Sequence, residues 1–189
     1  MVRLTRRVVV ALLAVGFATA VSAAADDATL KVKVGDKFPN VPLHAAQIEK
    51  AVKDKTSKDT ISIADLKGKT VVVFFYPKAL TPGCTTESCG FRDLADKFPK
   101  DVVLVGASAD GDELQNKFIK EKMLPYALLC DTDMKLISEL GIKNGPTGKT
   151  SKRITFIVDK EGTITKIYDS KIDVTKHPEE VLKFVSEGK

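Results

Sequence analysis

The segment from Val71 to Arg92, VVVFFYPKALTPGCTTESCGFR, constrains the fold of this chain more than any other. It opens with valines and aromatic residues, a continuous apolar run that predicts a strand buried on both faces. A turn rich in proline and glycine follows and leads into Cys84, which we expect in the first turn of a helix. Backbone N–H groups and the helix dipole favour negative charge there. The segment therefore predicts a cysteine placed to act as a nucleophile.

Strands and helices alternate along the rest of the chain. Apolar runs predict strands at 41–48, 71–76, 102–107, 126–129, 154–158 and 163–168. Helical spacing of apolar residues predicts helices at 84–98, 112–122, 134–140 and 177–187. This order indicates an α/β fold, a three-layer sandwich with a central mixed sheet flanked by helices. We expect one domain over residues 32–189, since about 160 residues suit a single core.

The first 24 residues have the features of a secretory signal peptide. Three arginines precede an apolar run over residues 8–21, and small residues suitable for cleavage follow it. We therefore expect export to the periplasm or the extracellular space, with no stable membrane association once the leader is removed. An uncleaved anchor and an organellar transit peptide are the alternatives.

The charge pattern gives little support to a nucleic-acid partner. The net charge is +5, and removal of the leader, with its three arginines and no acid, lowers it to about +2. No basic face with interleaved aromatic residues is evident, so we expect no nucleic-acid binding. The lysine-rich insert at 49–60 is best interpreted as a solvated loop.

Three cysteines, Cys84, Cys89 and Cys130, are too few for a disulfide scaffold. If Cys84 and Cys89 lie on one helix, their Cα atoms are about 8.6 Å apart, beyond the roughly 7 Å that a disulfide spans. Pairing then requires the first helical turn to unwind, which suits a redox cycle better than a permanent cross-link. A simple structural disulfide remains the alternative. Cys130 follows two leucines at a strand end and is expected to be a buried, inert thiol. An alternative disulfide partner and an intermolecular thiol are the other interpretations.

The two histidines, His44 and His177, are expected at the surface. Neither lies at metal-ligand spacing from a cysteine in the sequence. We therefore predict neither a metal site nor a cofactor.

The motif Pro77-x-x-x-Thr81-x-x-Cys84 resembles the active-site signature of the peroxiredoxins. The longer run TPGCTTESCGFRD is similar to the bacterioferritin-comigratory, PrxQ-type branch of that family, in the AhpC/TSA superfamily. Arg153, at the start of RITFIVD, matches the family's arginine, and the resemblance extends from about residue 34 to the C-terminus. It implies a thioredoxin-like fold, reduction of hydrogen peroxide and organic hydroperoxides, a thioredoxin-like dithiol as reductant, and a monomer.

The resemblance also implies a role for each matching residue. Cys84 would be the peroxidatic nucleophile, and Cys89 would resolve its sulfenic acid by forming a disulfide. Arg153 would stabilise the thiolate and donate hydrogen bonds to the peroxide. The Thr81 hydroxyl would contact the same two groups, and Pro77 would shield the site from water.

Two alternatives in other functional classes use the same fold. An exported copper carrier could bind Cu(I) through two thiolates, but no histidine or methionine stands near Cys84 in the sequence. A disulfide oxidoreductase would carry a C-x-x-C motif, whereas this chain has C-x4-C. Glu87, one turn into the helix, is expected either to orient Arg153 or to be an ordinary surface acid.

Overall fold

The structure is a computed structural model that describes residues 29–52, 59–145, 147–169 and 171–188. The predicted leader at 1–24 and residues 53–58 of the lysine-rich insert lie outside this part of the chain. Within it, no helix is long and apolar enough to cross a membrane.

The strands and helices follow the predicted alternation. The strands are β1 Leu43–Ala46, β2 Thr60–Ile61, β3 Thr70–Phe75, β4 Val102–Ser108, β5 Ala127–Cys130, β6 Lys143–Asn144, β7 Thr150–Ser151, β8 Ile154–Val158 and β9 Ile164–Tyr168. The helices are α1 Pro82–Leu94, α2 Asp112–Lys122, α3 Lys135–Leu140 and α4 His177–Ser186. Short 3₁₀ turns lie at Ile48–Lys50, Ile63–Leu66 and Ala95–Lys97.

The central sheet is mixed, as predicted. Its seven strands lie in the order β2-β1-β5-β4-β3-β8-β9. The inner strands β3, β4 and β5 are parallel, whereas the remaining pairs are antiparallel. Because parallel strands end at the same edge of a sheet, the segments that follow β3, β4 and β5 meet there.

The apolar run of β3 is buried on both faces and separates two cores. Val71, Val73 and Phe75 pack into one core, and alternate residues, including Phe74, pack into the other. This alternation follows from the two-residue period of a strand. Helices cover both faces of the sheet, so the predicted α/β three-layer sandwich is confirmed.

Several element boundaries differ from the predictions by one or two residues, and two segments differ by more. The helix predicted at 84–98 begins earlier, at Pro82, and becomes a 3₁₀ turn after Leu94. The segment 144–152, for which no strand or helix was predicted, includes one strand of a small separate β6–β7 pair and part of the other. The α2 prediction, by contrast, is confirmed at both ends.

Candidate active site

The loop between β3 and α1 is held in place by hydrogen bonds to residues distant in the sequence. Ser151 Oγ donates to the carbonyl of Tyr76 at 2.9 Å. The backbone N–H of Ala79 donates to Asp110 Oδ2 at 2.7 Å. Leu80 adopts a left-handed backbone conformation with φ of 62°, which is uncommon for leucine. The loop is therefore a defined platform before the helix, and half-buried Pro77 lies at its start.

Cys84 lies in the first turn of α1, as the sequence predicts. Thr81 is the N-cap residue, Pro82 opens the helix, and the thiol-bearing residue is the third helical position. Only 1% of Cys84 is exposed. The Thr81 hydroxyl donates to the carbonyl of Lys78 at 2.9 Å, so it closes the loop in this structure. The start of α1 thus presents a buried sulfur at the positive end of a helix dipole.

Arg153 brings a permanent positive charge to the sulfur. Its Nη2 donates to Cys84 Sγ at 3.2 Å, and its Nη1 donates to Glu87 Oε2. Arg153 directly precedes β8, and the antiparallel register of β8 with β3 pairs Ile154 with Phe75. This register puts Arg153 beside the loop that leads to Cys84. One guanidinium therefore bonds the thiol and a carboxylate at once, a geometry that its planar fork allows.

Glu87 is fully buried on α1, three residues after Cys84. Burial raises its pKa to about 7, although the charge and hydrogen bond of Arg153 act in the opposite direction. Glu87 Oε1 has no hydrogen-bond partner among the described residues. Burial also disfavours the charged guanidinium, but Glu87 and Cys84 outweigh it and raise the pKa of Arg153. The expected hydrogen bond between Glu87 and Arg153 is therefore present, and the alternative of an ordinary surface acid is wrong.

The prediction that His177 lies at the surface is wrong. Only 1% of the residue is exposed, and its Nε2 lies 2.9 Å from Thr155 Oγ1. Burial lowers its pKa to about 4, with a further contribution from the charge of Arg153. The cause is the close approach of α4 to α1, where a Cβ on Gly90 would lie 2.8 Å from Pro178 Cγ. Such packing between distant helices leaves no local pattern in the sequence.

Cys89 lies five residues after Cys84 on the same helix and is half-buried. All three thiols of the chain are free in this structure. The spacing corresponds to about 7.5 Å along the helix axis and about 140° around it, so the two side chains point in different directions. Tyr126 OH donates to the carbonyl of Ser88 at 2.7 Å and helps to hold this part of α1. The two cysteines can meet only if the helix partly unwinds.

Cys130 is buried at the end of β5, as predicted. Burial raises its pKa to about 12, and a hydrogen bond to Asp112 adds to the effect. The thiol is therefore protonated at neutral pH and is a poor nucleophile. His44 is exposed, as predicted, but its cross-strand partner is Cys130. The spacing of these two residues along the sequence did not indicate this contact, because the pairing of β1 with β5 creates it.

The described site joins a buried thiol, a helix N-terminus and an arginine donor on a mixed α/β sheet. These groups can stabilise a thiolate. They can also stabilise the negative charge that develops on an oxygen atom leaving the compound that the thiolate attacks. The arrangement offers neither a C-x-x-C pair nor a histidine or methionine bonded to Cys84 among the described contacts. The chemistry it fits is nucleophilic attack by one cysteine, with a second cysteine close in sequence.

Comparison with known proteins identifies a family of cysteine-dependent enzymes, in agreement with the chemistry that this site fits. The model of the AhpC/TSA family matches residues 34–167. Peroxiredoxin Bcp of Bacillus subtilis (strain 168) is 36% identical over 160 residues, covering 82% of this chain and 95% of that protein. The chloroplastic Peroxiredoxin Q of Gentiana triflora is 40% identical over 135 residues, covering 71% of this chain but only 62% of that protein.

Solved structures show the same fold. Peroxidoxin BcpB from Mycobacterium tuberculosis superposes with a TM-score of 0.71 at 31% identity, covering 84% of this chain and 99% of that one. Xylella fastidiosa PrxQ gives the same TM-score at 22% identity and supports the fold alone. Fold, site and relatives together define a peroxiredoxin, a thiol-dependent peroxidase with a thioredoxin-like fold. The chain belongs to the AhpC/TSA family.

Proposed function

We propose that Cys84 is the peroxidatic cysteine and that Cys89 resolves it, in a cycle that reduces hydrogen peroxide and organic hydroperoxides. The observation that carries this proposal is the hydrogen bond from Arg153 Nη2 to Cys84 Sγ at 3.2 Å. This bond singles out one of the three cysteines, since Cys130 contacts an acid instead. A cation beside the sulfur favours the thiolate, whereas a carboxylate disfavours it.

In the first step the Cys84 thiolate attacks one oxygen of the peroxide. An S–O bond forms, the O–O bond breaks, and the other oxygen leaves as an alkoxide or hydroxide that takes up a proton. Cys84 becomes a sulfenic acid and the peroxide is reduced to an alcohol or water. Arg153 is suited to stabilising the leaving oxygen, because its charge does not depend on pH. Thr81 and Pro77 are proposed to shape the pocket around the peroxide.

In the second step the Cys89 thiol attacks the sulfenic sulfur, forming a disulfide and releasing water. The step requires α1 to unwind locally, because an intact helix keeps residues five apart beyond disulfide distance. A dithiol of the thioredoxin type then reduces the disulfide by exchange and is itself oxidised. We propose this class of reductant for the chain, and a monomer as the working unit.

A chemical-trapping experiment tests the division of roles. The reduced Cys89→Ser protein is treated with one equivalent of peroxide and then with a dimedone reagent that labels sulfenic acids. We expect the label on Cys84 in this variant and a Cys84–Cys89 disulfide in the wild type, both mapped by mass spectrometry. A label on Cys130, or a disulfide that includes Cys130, would contradict the assignment.

We further propose that residues 1–24 are a removable export leader and that residues 32–189 form the working domain. Support comes from the basic and apolar composition of the leader and from the family match beginning at residue 34. The Gentiana relative is named chloroplastic, which keeps a transit peptide as the alternative. N-terminal sequencing of the protein recovered from fractionated host cells tests this, since export predicts a new N-terminus outside the cytoplasm.

A further inference from the structure

His44, Asp112 and Cys130 form a cluster separate from the cysteine pair on α1. His44 Nδ1 lies 2.6 Å from Asp112 Oδ1, and Cys130 Sγ donates to the same oxygen at 3.3 Å. All three potential ligand atoms lie within 4.8 Å of one another. A nitrogen, an oxygen and a sulfur donor therefore converge on one point, and each comes from a residue type that binds transition metals in proteins.

The fold itself brings the three residues together. His44 on β1 and Cys130 on β5 are direct partners in the antiparallel register, so their side chains lie on the same face of the sheet. Asp112 opens α2, the helix that follows β4. β4 pairs with β5 in parallel, with Ser108 opposite Cys130, so the start of α2 lies beside the end of β5. Rigid strands and a helix terminus, rather than flexible loops, hold the donors.

Two of the three distances between donor atoms can be compared with those of a four-coordinate zinc site. Bonds of about 2.0–2.3 Å in a tetrahedral arrangement put neighbouring ligand atoms about 3.3–3.7 Å apart. The sulfur–oxygen distance of 3.3 Å already lies in this range. The nitrogen–oxygen distance of 2.6 Å would have to lengthen by under about 1 Å, which exposed side chains can accommodate.

Exposure differs among the three donors in a way that suits metal entry. The side chains of His44 and Asp112 are 47% and 48% exposed, whereas Cys130 is only 5% exposed. A cation would meet the histidine and the carboxylate at the surface and the sulfur beneath them. Three protein ligands leave one coordination position to water, the arrangement of an open rather than a closed zinc site.

From this geometry we propose that His44, Asp112 and Cys130 bind one divalent zinc-type cation. Binding exchanges the thiol proton of Cys130 for a sulfur–metal bond, and the proton is released to solvent. The site joins β1, β5 and α2, so the bound cation cross-links two neighbouring strands of the sheet and a helix. The proposal stands apart from the peroxidase cycle, because neither Cys84 nor Cys89 is among the ligands.

Calorimetric titration with Zn²⁺ tests the site in a full-length Cys84→Ser/Cys89→Ser background. This background removes the other two thiols, so any sulfur–metal bond must come from Cys130. We expect one Zn²⁺ per chain, with the affinity falling at least about tenfold on adding His44→Gln, Asp112→Asn or Cys130→Ser. Glu113→Gln, an exposed acid next to Asp112 on α2, is the matched control and should bind Zn²⁺ as tightly as the background.

Titration with Co²⁺ supplies a second measurement. A thiolate-to-Co²⁺ charge-transfer band should appear in the background protein and vanish with Cys130→Ser. Unchanged Zn²⁺ affinity in His44→Gln and Asp112→Asn would overturn the proposal, as would a background protein that binds no Zn²⁺. These two side chains are half exposed, so their substitution should leave the fold intact. Peroxide turnover by the wild type is measured in a separate assay. An absence of turnover would argue against the proposed peroxidase function and would leave the zinc proposal unaffected.

Discussion

Arg153 Nη2 donates to Cys84 Sγ at 3.2 Å, although the two residues lie 69 positions apart in the chain. The β3–β8 register creates the contact, and Glu87 holds the other arm of the guanidinium. The thiol, the arginine and the buried carboxylate are therefore connected by hydrogen bonds into one cluster. Changing any of the three should alter the reaction of the sulfur with peroxide.

Arg153→Lys should slow the reaction of the reduced protein with peroxide by about a hundredfold or more. A lysine keeps the charge but has no planar fork, so it cannot bond Cys84 and Glu87 in the present geometry. Losing one donor that stabilises developing charge typically costs 10²–10³ in rate. Stopped-flow fluorescence or competition kinetics under single-turnover conditions measures this. Arg92→Lys, at an arginine of α1 that bonds Asp93 and Lys122 instead of Cys84, is the matched control, and a comparable loss there would contradict the account.

Glu87→Ala should lower the same rate constant by about tenfold, because a charge-assisted hydrogen bond that orients Arg153 is lost. Glu87→Gln should cost less, since its amide oxygen can still accept from Nη1. In the wild type, the carboxyl ionises as the pH rises through about 7 and strengthens its bond to Arg153. The rate should therefore show an inflection near that pH that disappears in Glu87→Gln. Identical pH profiles for the two proteins would argue against this positioning role.

Tyr126→Phe should accelerate formation of the Cys84–Cys89 disulfide by about fivefold. The hydroxyl bonded to Ser88 stabilises folded α1 by about 1 kcal/mol, and the resolving step requires this helix to open. The initial reaction with peroxide should be unchanged. Quenched-flow mass spectrometry of sulfenic acid and disulfide separates the two steps. Tyr168→Phe, whose hydroxyl donates to the carbonyl of Glu180 on α4 and not to α1, serves as control. A slower disulfide step in Tyr126→Phe would refute the role of helix opening.

His177 should make the wild type lose stability in mild acid. Its folded-state pKa of about 4 lies below the usual 6.5, so the unfolded chain takes up the proton first as the pH falls. The contribution of neutral His177 is complete above about pH 6.5 and declines toward pH 4. Between about pH 7.5 and pH 5 the wild type should lose about 2 kcal/mol more than His177→Gln.

Urea unfolding of both proteins at the two pH values measures this difference. The comparison between variants matters because Glu87, whose pKa is raised, changes stability in the opposite direction over an overlapping range. Equal losses in the two proteins would show that His177 is not buried in its neutral form.

The sequence predicted those parts of the molecule that depend on local pattern. The continuous apolar run of β3 indicated a strand buried on both faces, and proline and glycine before Cys84 indicated the start of α1. Arg153 had no local signal of its own and was identified through the family motif. Its contact with the sulfur depends on strand register, which local composition does not specify.

The residues that sequence reasoning misjudged are joined by tertiary packing. His177 is buried because α4 packs closely on α1 at Gly90 and Pro178. His44 and Cys130 meet through an antiparallel pair, although 86 positions separate them in the chain. Both contacts depend on where distant elements pack together.

The most direct test of the central claim is stopped-flow consumption of peroxide by the reduced wild type, Cys84→Ser and Cys130→Ser proteins. We predict rapid reaction in the wild type, no detectable reaction in Cys84→Ser, and a nearly wild-type rate in Cys130→Ser. Rapid reaction in Cys84→Ser, or loss of reaction confined to Cys130→Ser, would contradict the assignment of Cys84 as the cysteine that attacks peroxide.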